Sequence, residues 1–408
     1  MRIRYSKSET GQTVRKAFVY TQNEHKINTA YVEDNAVYIC SRLQEEGFET
    51  YIVGGAVRDL IMGKQPKDFD IASAASPSQI KKIFRNSRII GRRFRLVHVF
   101  FGTKIFEVAT FRSIKDGTAG NTFGTIDEDV LRRDFTLNAL FYDPERQLVI
   151  DYVNGLQDIL RKKLRPIIPL KIIFKDDPVR MLRAVKYSVL SGFPLNLFLR
   201  NKIKKEAHLL EGVSPSRLTE EINKIIHSKN VAGIIERLEY LGLYAYLQPN
   251  AHNLIKKSSS FKHEYFNTLR NLDKDENEQD GTGAKIQTKT IPRDIVCLKA
   301  MFYDYIDCTT DWKEEVAVLY ESVFRNARNF VLPMNPQRKH IERAIIQIFS
   351  EHGVSVRKTR MLHQEMIKAK VKPRILTSNV SSKAEEGTSN PLRRKPHMHT
   401  KQETKDEK

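Results

Sequence analysis

The sequence predicts an α+β fold, in which a mixed sheet is confined to the N-terminal part and an all-helical neck and body follow. Two observations carry this. Strand-like runs at Thr50–Val53, Phe69–Ala72 and Ile105–Thr110 all precede about Leu156, and beyond that point the apolar residues recur at helical spacings of three and four. A third observation sets the scale. With 408 residues, of which 40% are hydrophobic, the chain is long enough for two or three cores.

Residues 1–28 are polar and basic without clear periodicity, and read as an arm that orders only against the rest of the protein. From Tyr31 the spacing of Val32, Ala36, Val37, Cys40 and Leu43 predicts a helix that Gly47 stops. Thr50–Val53 reads as a buried strand, Gly54-Gly55 as a turn, and Val57–Met62 as a helix ended by Gly63. Ser76 caps a helix that Pro77 opens and that runs to Phe84. Further on, helices are expected over Val179–Leu190, Ser216–His227, Val231–Leu241 and Val316–Phe330. These readings divide the chain into an arm (1–28), a head (29–155), a helical neck (156–270), a flexible insertion (271–292) whose polar centre is Asp273–Thr290, a helical body (293–350) and a basic tail (351–408). The tail carries Arg393-Arg394-Lys395 amid Ser, Thr, Glu and Lys, a composition expected to stay unfolded.

Lys and Arg number 69 against 49 Asp and Glu, a net charge of +20. Such an excess favours a polyanionic partner, and nucleic acid leads the candidates. Three widely spaced cysteines, Cys40, Cys297 and Cys308, fit neither a disulfide framework nor a CxxC metal site. No apolar run reaches the length of a membrane span, and the opening Met1-Arg2-Ile3-Arg4-Tyr5 is not followed by the apolar core of a signal peptide. A cytoplasmic protein without a membrane partner is expected.

Asp68 and Asp70 flank Phe69 in the second strand run, so strand alternation projects both carboxylates from one face. Adjacent like charges repel unless divalent cations are shared between them, and hard oxygen ligands suit Mg²⁺. An isolated Asp-x-Asp is more often a solvated acidic turn. Here it follows Gly54-Gly55-Ala56-Val57-Arg58-Asp59, a strand–turn–helix whose glycines admit close backbone approach and whose helix start offers free N–H groups to phosphate. It is no dinucleotide fingerprint, because the third glycine and the acidic ribose binder are missing.

With these residues the chain resembles the class II nucleotidyltransferase superfamily, which holds bacterial poly(A) polymerases and CCA-adding enzymes. Gly54 to Asp59, Gly63 and Lys67-Asp68-Phe69-Asp70 look like the first motif of that family, whose paired Asp residues bind the catalytic metals. Arg132-Arg133-Asp134 through Asn138 to Leu140 looks like the second, which holds the sugar and phosphates of the nucleotide. Asp151 to Asp158 is similar to the hinge-like third, Asp176-Asp177-Pro178-Val179-Arg180 through Arg183 to the base-facing fourth, and Ser214 to Glu221 to the fifth, in the neck. Two departures stand out: Asp176 where Glu is common, and Asn154-Gly155 for a frequent Gly-Gly. The resemblance implies a polymerase-β-like head and transfer of nucleotides to RNA 3′ ends, with two Mg²⁺ ions on Asp68 and Asp70 and ATP as substrate.

The chemistry then assigns further roles. Glu107 interrupts an apolar strand and faces away from Phe106 and Val108, which makes it a third carboxylate for the metal site or else a surface acid. Arg132 and Arg133 supply forks for triphosphate oxygens, Asp134 orients one of them or holds a ribose hydroxyl as a candidate essential acid, and Asn138 lies one helical turn on. Gly54, Gly55, Arg58 and Asp59 complete the expected nucleotide site. Asp177, Arg180 and Arg183 fall on one helical face with Val179 and Leu182 turned away, a face able to read a base edge by donor and acceptor. The stretch Ile89-Ile90-Gly91-Arg92-Arg93-Phe94-Arg95-Leu96-Val97-His98-Val99 resembles one typical of bacterial poly(A) polymerases, with Arg92, Arg93 and Arg95 placed to grip RNA. Polyadenylation of mRNA or other transcripts is therefore the leading expectation. CCA addition to tRNA is the alternative, and a catalytically inactive RNA-binding protein a second one.

Overall fold

The computed structural model describes residues 2–7, 13–91, 96–113, 122–279, 291–313 and 316–354. Arg92, Arg93 and Arg95 lie outside these residues, as do 280–290 of the expected insertion and the tail from 355 onward.

Nine strands form one mixed sheet in the order β1 (Arg2–Lys7), β2 (Thr13–Tyr20), β9 (Leu148–Asp151), β8 (Leu140–Asp143), β3 (Thr50–Val53), β4 (Asp70–Ser73), β7 (Lys104–Thr110), β6 (Leu96–Phe101) and β5 (Ser87–Ile90). Neighbours are antiparallel except β4 and β7, which run parallel because the helix Pro77–Ile83 and the β5–β6 hairpin return the chain between them. All described strands end by Asp151 and the described segments beyond are helical, so the α+β expectation holds.

One row of paired residues crosses the whole sheet: Arg2, Val19, Ile150, Phe141, Val53, Asp70, Glu107, His98 and Arg88. Paired residues face the same side. At Ile150, Phe141 and Val53 that side is closed by the helix Ile126–Leu131, whose Ile126 and Val130 share a cluster with Tyr51 and Phe111. From Asp70 onward the row turns polar and the face opens. The opposite face buries Ile52, Ile71, Val97, Val99, Phe106 and Val108 in the main core, which also takes in the helices Asp34–Glu45, Gly55–Ile61 and Pro77–Ile83.

Four local differences from the sequence reading have physical causes. The N-terminal arm supplies β1 and β2, a hairpin in which β1 is the edge strand of the sheet and β2 pairs with β9. Between it and the first long helix, Thr29–Tyr31 forms a 3₁₀ turn, and the helix starts at Asp34. Strand β4 begins at Asp70, not at Phe69, so Asp68 belongs to the preceding loop. Asp273 to Gln279, expected to open the flexible insertion, continues the helix Ser259–Gln279. Asp273 holds that end in place by accepting from the backbone N–H groups of Val231 and Ala232 at 2.9 and 3.0 Å and from Arg293 at 3.1 Å.

The turn after β9 is built around Asp151, fully buried, whose carboxylate accepts from the N–H groups of Val153, Gly155 and Leu156 at 3.0, 2.9 and 3.1 Å. Burial still raises its pKa. Asn154 has φ of 62° and ψ of 34°, the left-handed region, which accounts for a Gly being common there and for Asn being tolerated. At Gly155 a Cβ would sit 2.3 Å from the Thr136 carbonyl oxygen, so only glycine fits. We expect Asn154→Gly to leave stability unchanged within about 0.5 kcal/mol, and Asn154→Val to cost about 1–2 kcal/mol. Urea midpoints of the two variants check this.

Candidate active site

Strand β3 ends at Val53, and the chain turns at Gly54, whose φ of 70° and ψ of −133° suit glycine alone. A Cβ on Gly54 would stand 3.7 Å from Asp70 Oδ2, so the turn lies directly against that carboxylate. Glu107 is the register partner of Asp70 on parallel β7 and adds a second acid beside it. His98, the next residue in the row, approaches Glu107 Oε1 at 3.5 Å. The Asp70 carboxyl is pushed up to about 6, first because the cleft walls strip it of water, and second by the charges of Glu107 and Asp68, against the pull of Arg133 and Lys224. A carboxylate whose charge is disfavoured by two neighbouring acids is a donor that a hard divalent cation relieves. Among the described residues no three such side chains close into a cage, and Mg²⁺ characteristically takes one or two carboxylates and completes its shell with water and substrate phosphates. The residues therefore fit the ion expected from the sequence.

Asp70 and Glu107 line a cleft of about 710 Å³ whose other walls come from the helix Val179–Ser191, the helix Pro215–Ile226 and the segment Asp129–Asn138. Gly54, Gly55, Arg132, Arg133, Asp134, Asn138, Asp177, Arg180 and Arg183 all line it. Arg133 is fixed by Asp129, to which Nε and Nη2 donate at 3.1 and 2.9 Å, by the Asn138 carbonyl at 3.1 Å, and by the Phe141 ring 4.9 Å away. Burial, together with the neighbouring guanidiniums of Arg112, Arg133 and Arg180, pulls Arg132 down to about 10. Burial and Arg133 likewise lower Arg112. Guanidiniums crowded this closely are an arrangement that a multivalent anion would relieve.

Arg58 and Asp59 line an adjoining cleft instead, and so does Asp68, on the loop before β4. Arg58 Nη1 donates to Asn138 Oδ1 at 2.9 Å and Nε to Asp59 Oδ1 at 2.9 Å, which ties the first motif to the second. Asn138 sits on a 3₁₀ turn, Thr136–Asn138, and not on an α-helix. Asp134 Oδ1 accepts from the N–H of Phe135 at 2.7 Å, and its other oxygen lies 3.9 Å from Arg183. Arg183 is held mainly by the buried Glu221, to which Nε and Nη2 donate at 2.9 and 2.7 Å.

Asp177 does not share the helix of Arg180. It is extended, precedes Pro178, and its Oδ1 accepts from the Val179 N–H at 3.2 Å, at the start of the helix Val179–Ser191. Its two oxygens also accept from Arg217 at 3.0 and 2.9 Å. Arg180, 5% exposed, pairs with Asp176 and donates to the carbonyls of Ile173 and Arg132 at 3.3 and 3.5 Å. Arg112, Asp129, Tyr187, Arg217 and Lys224 belong to this cleft and were not singled out from the sequence. Arg217 lay inside the fifth motif and was the most accessible signal among them.

Residues 50–165 match the family model described as the poly A polymerase head domain, and residues 192–255 that described as the probable RNA and SrmB-binding site of polymerase A. The poly(A) polymerase I of Salmonella typhi is 34% identical over 346 residues, which cover 80% of this chain and 72% of that protein. The poly(A) polymerase I of Haemophilus influenzae is 41% identical over 231 residues, covering 53% and 51% of the two chains. The CCA-adding enzyme of Geobacillus kaustophilus is 33% identical over 237 residues, covering 56% and 58%. Among solved structures, a complex of CCA-adding enzyme with ATP superposes with a TM-score of 0.55 at 20% identity, covering 86% of this chain and 77% of that one. At that identity the likeness shows the fold.

Proposed function

Because this chain belongs to the class II nucleotidyltransferase superfamily of poly(A) polymerases and CCA-adding enzymes, and is a nucleotidyltransferase, we propose that it adds AMP from ATP to RNA 3′-hydroxyl ends without a template, releasing pyrophosphate. The observation that carries this reading is the pinned pair Asp177 and Arg180. Each is held by at least three contacts, so the donor and acceptor they present keep one geometry. A single geometry suits repeated addition of one base, whereas C-C-A addition needs the reading face to change between nucleotides. Identity agrees: it is 41% to the poly(A) polymerase I of Haemophilus influenzae over 53% of this chain, against 33% to the CCA-adding enzyme of Geobacillus kaustophilus over 56%. The stretch Ile89–Val99 supports the same choice.

The residues divide the work as follows. Arg132 and Arg133, with Arg112 beside them, draw the triphosphate into the cleft, and Arg133 is stiffened by Asp129 so that little reorganisation is left for the reaction. Asp134, oriented by the Phe135 N–H, holds a ribose hydroxyl. Asp177 accepts from, and Arg180 donates to, the edge of the base. Asp68 and Asp70, with Glu107, would hold two Mg²⁺ ions, which supply charge neutralisation at the α-phosphate and lower the pKa of the attacking hydroxyl. The acceptor 3′ oxygen forms its bond to the α-phosphorus as the bond to the β-phosphate oxygen breaks.

Single-nucleotide incorporation tests the reading. With Mg²⁺ and an RNA unrelated to tRNA, ATP alone is expected to give long tails and CTP alone at most a few additions. Equal use of CTP would overturn it.

A further inference from the structure

The helix Val179–Ser191 carries Arg180, Arg183 and Tyr187 at spacings of three and four, so the three side chains share the face that lines the arginine-rich cleft. The first two are engaged by acids, Asp176 and Glu221. Tyr187 is engaged by its ring alone. Phe135 meets that ring edge-on, with centroids 6.0 Å apart and planes at 78°, the Arg58 guanidinium lies 5.6 Å from its centre and the Lys186 ammonium 5.2 Å. Phe135 also orients Asp134 through its N–H, so one residue sets both the phenol and the neighbouring carboxylate. Tyr187 is half-buried, and among the described residues its hydroxyl has no hydrogen-bond partner. Burial first, then the charge of Asp134, raises the pKa of the phenol against the pull of Arg183 and Arg58, so at neutral pH it is a protonated donor.

We propose that the Tyr187 hydroxyl donates to the ribose O2′ of the incoming nucleotide while that O2′–H donates to Asp134, so that the two side chains together select ribonucleotides. This rests on the nucleotidyl-transfer reading above, in which Asp134 holds a ribose hydroxyl. A hydroxyl is donor and acceptor at once, whereas a carboxylate only accepts. Asp134 therefore satisfies the O2′ proton and leaves the oxygen's lone pairs unmatched. Arg183, a donor 3.9 Å from Asp134, is already committed to Glu221 at 2.9 and 2.7 Å. The phenol supplies the missing donor in the same cleft, and because Phe135 and Arg58 brace its ring, little ordering is left for binding. A nucleotide without O2′ would leave both Asp134 and Tyr187 unpaired, and a site built on a substrate hydroxyl rejects the analogue lacking it more strongly than a pocket that reads shape alone.

The test is Tyr187→Phe in the full chain, which keeps the ring and its bracing and removes only the hydroxyl. Affinities for ATP, 2′-deoxyATP and 3′-deoxyATP are measured by isothermal titration calorimetry with Mg²⁺ and no RNA, beside kcat/KM for a single addition to an unrelated RNA. The variant is expected to lose about 10-fold in affinity and in kcat/KM for ATP and 3′-deoxyATP, and less than about twofold for 2′-deoxyATP, so that its preference for the ribonucleotide narrows about 10-fold. Equal losses with all three nucleotides would mark a packing role, a loss confined to the nucleotides that bear O3′ would assign the other hydroxyl, and unchanged affinities would leave the phenol without a contact. Each of these overturns the proposal. If the parent extends no RNA with any nucleotide, the transfer reading fails, while the calorimetry still decides whether Tyr187 reads O2′.

Discussion

Asp70→Asn is expected to lower turnover by about 10³-fold or more, the scale on which removing one preorganised electrostatic group acts, and at the same time to raise stability in the absence of divalent cations. The second effect follows from the sign of the pKa shift. A carboxyl raised to about 6 in the folded state binds its proton more tightly there than in the unfolded chain, where it titrates near the ordinary Asp value. Its charge therefore subtracts stability as pH rises from about 4 through about 6, and the penalty is fully present above that window. Because the carboxylate faces an open cleft, screening holds the gain from removing it to about 1 kcal/mol at neutral pH. Thermal melts at acidic and neutral pH, with and without Mg²⁺, check this. The variant should gain on the parent only above the window, and Mg²⁺ should raise the parent's melting temperature more than the variant's. Near-normal turnover of the variant would remove Asp70 from the chemistry.

Arg183→Ala is expected to destabilise the fold by about 3 kcal/mol, because it strips the buried Glu221 of its main partner. The cost falls at the lower end of the range for broken buried pairs, since Lys186 remains 3.6 Å and Lys224 3.8 Å from Glu221. Arg183, Lys186 and Lys224 hold the Glu221 carboxyl below its ordinary value against burial, which opposes them. The stability this supplies is present above the ordinary carboxylate pKa and fades as pH falls through the lowered one. Urea unfolding of parent and variant should thus differ most near neutral pH and converge in acid. A constant difference across that range would place the effect elsewhere.

The sequence made the acids legible for a local reason and hid their arrangement for a non-local one. Alternation alone turned Glu107 away from Phe106 and Val108, and the structure keeps that facing. That Glu107 stands beside Asp70 depends on parallel pairing between strands separated by a helix and a hairpin, which no local pattern encodes. Asp68 was read into the strand because its spacing from Asp70 fits alternation, yet the ladder begins at Asp70. At Asp177 the helical spacing misled, although the following Pro178 disfavours helical backbone at the residue before it. The strands at Thr50–Val53 and Ile105–Thr110 were readable from their β-branched and aromatic residues. β1 and β2 were not, since strands carrying Arg2, Arg4, Lys7, Arg15 and Lys16 look like a solvated arm. Arg112 is a single arginine without a surrounding pattern, Arg217 had only its place in the fifth motif, and the fold alone brings them to Asp129 and Asp177.

The central claim is that one fixed base-reading geometry makes this chain an adenylate-adding enzyme. It is tested most directly by sequencing the products formed when ATP and CTP are supplied together, with Mg²⁺, to an unrelated RNA and to tRNA lacking its terminal residues. Long tails of A on both substrates are the predicted result. Completion of C-C-A confined to the truncated tRNA, followed by arrest, would contradict it, because the pinned Asp177 and Arg180 would then have to accept two different bases in turn.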